Sequence, residues 1–262
     1  MQFALSARAI FDEFRSNDES FQLFCSITAK GEAQGGWENE RIAANTADPV
    51  LAAKIAQHGA DEHKHARLFG GLLLRRQLEA IAVPAEADYC MRLERAGIGL
   101  AHDRLREDRP LSDEEILKYL VHSRVTEQRA FEEIHQQEAI FRGDPELGKA
   151  VAMVAADEVN HLAYCHEELL RFERAGHGPL IRRMLAEYAA VEIRTYRDVS
   201  VAVMMRMGDT LGWSRLKKGV LRFGIHAIYW IERLFTWRRM TTLRPPERSN
   251  PLGTPDLQEL TQ

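Results

Sequence analysis

Apolar residues along this chain recur at intervals of three and four rather than two, the period of an amphipathic helix. Glu, Arg, Ala, Leu and Gln, all good helix formers, fill the positions between them. The pattern predicts seven helices and no sheet, an all-α fold. The first covers about 19–47 and stops at Asp48-Pro49; the second covers about 50–81 and stops before Pro84. The third covers about 87–106. Ser112-Asp113-Glu114-Glu115 reads as a capping box that opens the fourth, which reaches Phe141. Gly143-Asp144-Pro145 is a turn. The fifth covers about 146–174 and stops at Ala175-Gly176-His177-Gly178-Pro179. Two more cover about 180–208 and 214–240. The stretch from Arg244, with Pro245, Pro246, Pro251 and Pro255, reads as an irregular tail.

An internal repeat organises the first two thirds. Glu32, Pro49, Glu62 and His65 recur as Glu127, Pro145, Glu158 and His161, at offsets of 95 or 96 residues. Each half is a helix, a short turn containing proline, and a second helix. Two antiparallel hairpins of this kind make a four-helix bundle.

Each hairpin carries a Glu-x-x-His, Glu62 to His65 and Glu158 to His161. Side chains at i and i+3 share a helix face, so both can reach one metal ion. One such motif is common by chance. Two, each preceded by a glutamate 30 or 31 residues upstream, form a specific pattern. Glu32 lies on the stripe Phe21, Cys25, Thr28 and Ile42, and Glu127 on the stripe Ile116, Leu120, Phe131 and Ile134. Glu38 and Glu133 fall on polar stripes and are expected to point to water. From Glu32 to Pro49 is 17 residues and from Pro49 to Glu62 is 13; the second half has 18 and 13. At about 1.5 Å per residue, four carboxylates and two imidazoles reach one level of the bundle.

Four carboxylates in an apolar interior are costly without compensation. Two divalent cations supply it, and oxygen ligands with one imidazole per ion suit two irons or a manganese–iron pair. The expected metal ligands are Glu32, Glu62, His65, Glu127, Glu158 and His161. Asp61 and Asp157, each just before a motif, can accept the second imidazole N–H and set the tautomer. His58 lies on the metal face one turn before Glu62, a supporting position, whereas His63 is expected to face outward. Tyr164, one turn beyond His161, reads either as packing or as a hydrogen-bond or redox partner of the site.

The six-ligand pattern resembles the ferritin-like di-iron carboxylate superfamily, over roughly residues 15–175. The stretch Asp157 to Tyr164 with Glu167-Glu168-Leu169 is similar to cyanobacterial aldehyde-deformylating oxygenases, and Gly31-Glu32-Ala33-Gln34 is similar to rubrerythrins. The resemblance implies a ferritin-like four-helix bundle with additional C-terminal helices at 176–243. It also implies dioxygen or peroxide chemistry at two irons, with the core keeping water away from the oxidant.

Composition sharpens the choice of partner. The net charge is −4. Residues 1–170 hold 19 Lys+Arg against 30 Asp+Glu, whereas 171–248 hold 16 against 7. A basic C-terminal third suits an acidic carrier protein or a ferredoxin-type electron donor. No RNA-binding motif accompanies it, which disfavours nucleic acid. The helix at 214–240 mixes Phe223, Trp230 and Phe235 with Arg222, Arg233 and Arg238. It can lie on a membrane, or pack over the bundle as a lid or a dimer contact in a homo-oligomer. The three cysteines, Cys25, Cys90 and Cys165, form no CxxC pair, which leaves no rubredoxin-type relay and points to reduced thiols in the cytoplasm. The N-terminus has no signal-peptide pattern, and the nearest candidate for a spanning segment, 219–237, is broken by Arg222, Glu232 and Arg233.

The leading expectation is therefore an oxygenase or oxidase acting on O₂ and a small apolar acyl or aldehyde-like substrate. The alternatives are a rubrerythrin- or ferritin-like peroxidase or ferroxidase, a tRNA-modifying di-iron hydroxylase, and a non-catalytic helical module.

Overall fold

A computed structural model describes residues 6–244, and every regular element among them is helical. The proline-rich tail read from the sequence lies outside the described residues. Four long helices form the two predicted hairpins: α2 (Asp18–Asn45) with α3 (Pro49–Arg75), and α6 (Asp113–Phe141) with α7 (Gly148–Phe172). A helix absent from the sequence reading, α1 (Ala7–Ser16), precedes them, capped by Ser6 and buried through Ile10 and Phe14.

The turns follow from local chemistry. Asp48 accepts hydrogen bonds from the Val50 and Leu51 backbone N–H groups, and Pro49 occupies the first turn of α3. In the second hairpin Asp144 does the same for Glu146 and Leu147, while Gly143 takes a left-handed conformation at φ +80°. The capping box of α6 is formed as predicted, with Ser112 and Glu115 bonded reciprocally.

The single helix expected at 87–106 is instead two short ones, α4 (Tyr89–Arg95) and α5 (His102–Leu105). Gly97 and Gly99 both adopt left-handed φ and end α4. The helix expected to reach 81 ends at Arg75, where Gln77 takes positive φ. At the C-terminal side come α8 (Gly178–Thr210) and α9 (Arg215–Ile231), followed by tighter and wider turns to Met240. The long α8 packs on α6, α4, α9 and α2.

Two large apolar clusters fill the interior, and a smaller one joins Ile10 and Phe14 of α1 to Leu23, Met207 and Trp213. One, around Ile55, Leu117, Leu120, Leu169 and Leu185, joins both hairpins to α8. The other, around Phe21, Phe69, Phe141, Leu147 and Val151, closes the opposite end. The Glu-x-x-His level of α3 and α7 lies between the clusters in sequence. No helix among the described residues is long and apolar enough to cross a membrane.

Candidate metal centre

α3 and α7 bring both Glu-x-x-His motifs to the bundle interior. Glu62, Glu127, Glu158, His65 and His161 are all buried, and Glu32 is half-buried. Two groups of ligand atoms converge closely enough to share a cation: Glu32, Glu62 and His65, and His58, Glu62, Glu127 and His161. Glu62 belongs to both. Glu158 lies between the two imidazoles, one oxygen 3.8 Å from His65 Nδ1 and the other 3.6 Å from His161 Nδ1. The six predicted ligands thus meet around one buried centre.

The orientation of each imidazole follows from its second nitrogen. His65 Nε2 donates to Asp157 at 2.9 Å, which turns Nδ1 toward Glu32 at 3.2 Å. His161 Nε2 faces Asp61 at 3.6 Å, and its Nδ1 faces Glu62, Glu127 and Glu158 at 3.6 to 3.7 Å. The aspartates act across the bundle, each serving the histidine of the other hairpin. Lys64 Nζ holds both, 2.7 Å from Asp61 and 2.7 Å from Asp157. The sequence reading placed the two aspartates at the site but missed this lysine, which sits inside the first motif.

His58 is closer to the centre than a supporting position requires. Its Nε2 is 3.0 Å from Glu62 and 3.4 Å from Glu127, and its ring stacks on His161 with centroids 3.9 Å apart. Tyr119 donates to Asn39 at 2.8 Å, so Tyr164 donates to Tyr119 at 2.6 Å and His58 Nδ1 donates to Tyr164 at 2.8 Å. That chain fixes the His58 tautomer and leaves its Nε2 lone pair for the centre. Tyr164 is therefore a hydrogen-bond partner of the site. Tyr119 and Asn39, equally part of the chain, had no spacing signal in the sequence.

Two faces were assigned wrongly from the stripe pattern. Glu38 does not point to water; it accepts a hydrogen bond from His102 Nε2 at 2.8 Å and lines a cavity beside the cluster. Glu133 is half-buried against Tyr196 of α8, and burial raises its pKa. Both faces looked polar because the elements that cover them, the 83–105 segment and α8, lie far away in sequence. His63 reaches toward the exposed Glu40 at 3.7 Å, outward as expected.

Comparison of the chain with protein-family models, with curated proteins and with solved structures gives no match.

The charges in the cluster balance only with cations or protons. Burial pushes the Glu158 carboxyl up to about 8, with Glu127 adding to the rise. Burial and neighbouring Glu62 raise Glu32 well above the usual carboxylate range. Glu127 moves the other way, because His58 and His161 outweigh its burial. His161 is raised well above its ordinary value, since Glu158 and Asp61 together overcome desolvation. Glu127 Oε2, Glu158 Oε2 and both His161 nitrogens are buried without a hydrogen-bond partner. Buried acceptors left without donors are expensive, and a cation among the two glutamate oxygens and His161 Nδ1 would satisfy these three together. The buried His58, Glu62, Glu127 and His161 group could hold a metal ion.

A cavity of about 340 Å³ opens beside the cluster, between α2, α6, α4 and α8. Ile27, Gly31, Leu93, Ile98, Ala130 and Val199 contribute to its wall, and Glu32, Glu62, Glu127, Glu158 and His58 face it as well. Gly35 leaves Glu62 its space, since an added Cβ would lie 3.4 Å from Glu62 Oε2.

Proposed function

We propose that this chain is a non-haem di-iron oxygenase or oxidase, built on a ferritin-like four-helix bundle, that uses O₂ to oxidise a small apolar substrate. The carrying observation is the convergence of four carboxylates and three histidines, with orphaned buried acceptors, on a cavity with a largely apolar wall. In this reading Glu32, Glu62, His65, Glu127, Glu158 and His161 would hold two irons, which would supply the redox chemistry. His58 is an additional imidazole at the centre, which a manganese–iron pair would equally accept.

Bound iron supplies the reductive activation of dioxygen. The protein supplies the rest. Asp157 and Asp61 orient the two imidazoles across the bundle, and Lys64 keeps both aspartates in place. Tyr164 holds the other nitrogen of His58, which keeps its Nε2 aimed at Glu62 and Glu127. The cavity between α2 and α6 presents an apolar substrate to the centre and keeps bulk water from it. A cavity of this size beside the ligands favours substrate oxidation over iron storage, which needs no such space.

The test is metal content and optical spectra of the full chain, reduced without oxygen and then mixed with O₂. About two irons per chain and a rapid optical change on mixing are expected. The Glu62→Ala, Glu158→Ala double variant should lose both irons while remaining helical. Full metal content in that variant would overturn the ligand assignment. Irons inert to O₂ but quickly oxidised by peroxide would replace the oxygenase reading with a peroxidase.

A further inference from the structure

Helix α9 is apolar on two sides. Its inward face packs Leu221 and Tyr229 on the core and also carries buried charge. Lys217 reaches Glu13 of α1 at 2.6 Å, and one residue past the helix Glu232 meets Arg129 at 2.8 Å. Its outward face carries the apolar stripe. Leu216, Val220, Phe223, Trp230 and Leu234, with small Ala227 between, recur at four and three, so they line one side of the helix. They are between 42% and 74% exposed. Phe235 and Ile231, also exposed, widen the row at its end. A surface helix normally keeps its outer side polar, so a contiguous apolar stripe there marks a surface that is covered by something.

Charge says what covers it. Arg215, Arg222, His226 and Arg233 run in a second row along one flank of the stripe. No ion pair holds Arg215, Arg222 or Arg233 among the described residues. From 215 to 244 the one acidic residue is Glu232, and it is buried. Two copies of the chain packed antiparallel along this stripe would set the arginine row against itself. A single outer helix is also a ridge, not a groove, over about 27 Å of helix. A fluid surface that takes up protruding aromatic rings beside a layer of negative charge matches both features.

We propose that α9 docks this protein on an anionic lipid bilayer, with Phe223, Trp230 and Leu234 entering the headgroup–acyl boundary and Arg215, Arg222 and Arg233 contacting lipid phosphates. The surface is independent of the metal centre, so the two readings stand or fall separately.

The test is co-sedimentation of the full-length chain with vesicles of phosphatidylcholine alone, or with a third phosphatidylglycerol. Binding to the mixed vesicles is expected, weaker by about tenfold on neutral vesicles or at high salt. Tryptophan emission should shift to the blue on binding. Phe223→Ser with Trp230→Ser, and separately Arg222→Glu with Arg233→Glu, should each weaken binding by about tenfold or more, with helicity and metal content unchanged. These side chains are exposed, so the variants should fold. Wild-type protein that stays in solution with anionic vesicles overturns the proposal, as does binding that neither pair weakens. A stable dimer in light scattering that Leu234→Asp converts to monomer, with no vesicle binding, assigns the face to a second copy instead.

Discussion

At the scale of single residues, the interest lies where the internal repeat is broken. His58 corresponds to Val154 in the second hairpin, and Tyr164 corresponds to Leu68 in the first. These two repeat-breaking residues bond to each other, so the two ends of an otherwise doubled site differ in chemistry. Away from the site, His166 is buried with neither ring nitrogen bonded. Burial, with Arg124 assisting, lowers its pKa from an ordinary 6.5 to about 3. In the unfolded chain this imidazole takes up a proton first as pH falls. Its contribution to stability is thus present above pH 6.5 and is lost as pH drops from 6.5 toward 3. The slope from one such group approaches about 1.4 kcal/mol per pH unit. Urea denaturation of wild type and His166→Gln across that range should show a flatter pH profile for the variant. Parallel profiles would mean that His166 is protonated in the fold.

At the scale of elements, helix existence was legible and helix contact was not. The α2–α3 hairpin was predicted within a few residues at its turn, because Asp48-Pro49 both ends one helix and starts the next. Nothing in the periodicity showed how closely the two helices approach. At Gly59 an added Cβ would lie 3.1 Å from the Gly36 carbonyl oxygen and 3.3 Å from the Glu40 backbone nitrogen. At Gly36 the nearest atoms it would meet all belong to the His63 ring, a half-exposed side chain that can rotate away. Gly59→Val should therefore destabilise by about 1–3 kcal/mol through overpacking against backbone. Gly36→Ala should be neutral or stabilising by up to about 1 kcal/mol from helix propensity. Thermal melts of the two variants check the contrast, and equal losses would show that the hairpin spacing can relax. The missing α1 and the broken 87–106 helix have a common cause. Both segments are short, and docking rather than propensity determines their form.

At the scale of the molecule, one buried network joins the bundle to its extension. Arg129 of α6 donates to Glu192 of α8 at 2.9 and 3.1 Å and to Glu232 beyond α9 at 2.8 and 3.2 Å. Its guanidinium lies over the Tyr196 ring, Tyr89 donates to Glu192, and Arg239 donates to Glu232. Replacing Arg129 by Met would leave buried Glu192 without a cation and Glu232 with Arg239 alone. The expected loss is about 3–5 kcal/mol in urea denaturation, larger than for any exposed arginine of this chain. A loss under about 1 kcal/mol would mean that the carboxylates simply take up protons. The same contacts place α8 beside the cavity, so the C-terminal helices that looked like an appendix in the sequence build part of its wall.

The sequence by itself determined the four long helices of the two hairpins and the level at which six ligands meet. Those properties depend on periodicity and on spacing along one helix or across one short turn, and a residue count measures them directly. It also showed the aromatic and basic character of α9. Only the tertiary structure decided which faces are covered. Glu38 and Glu133 look solvent-facing until α5 and α8 fold over them, and only the fold shows that an apolar row of α9, from Leu216 to Leu234, points outward. The crossed aspartates, Lys64 between them and the His58–Tyr164–Tyr119–Asn39 chain likewise join residues from different helices. Their bonds depend on distances through space that no spacing along the chain encodes.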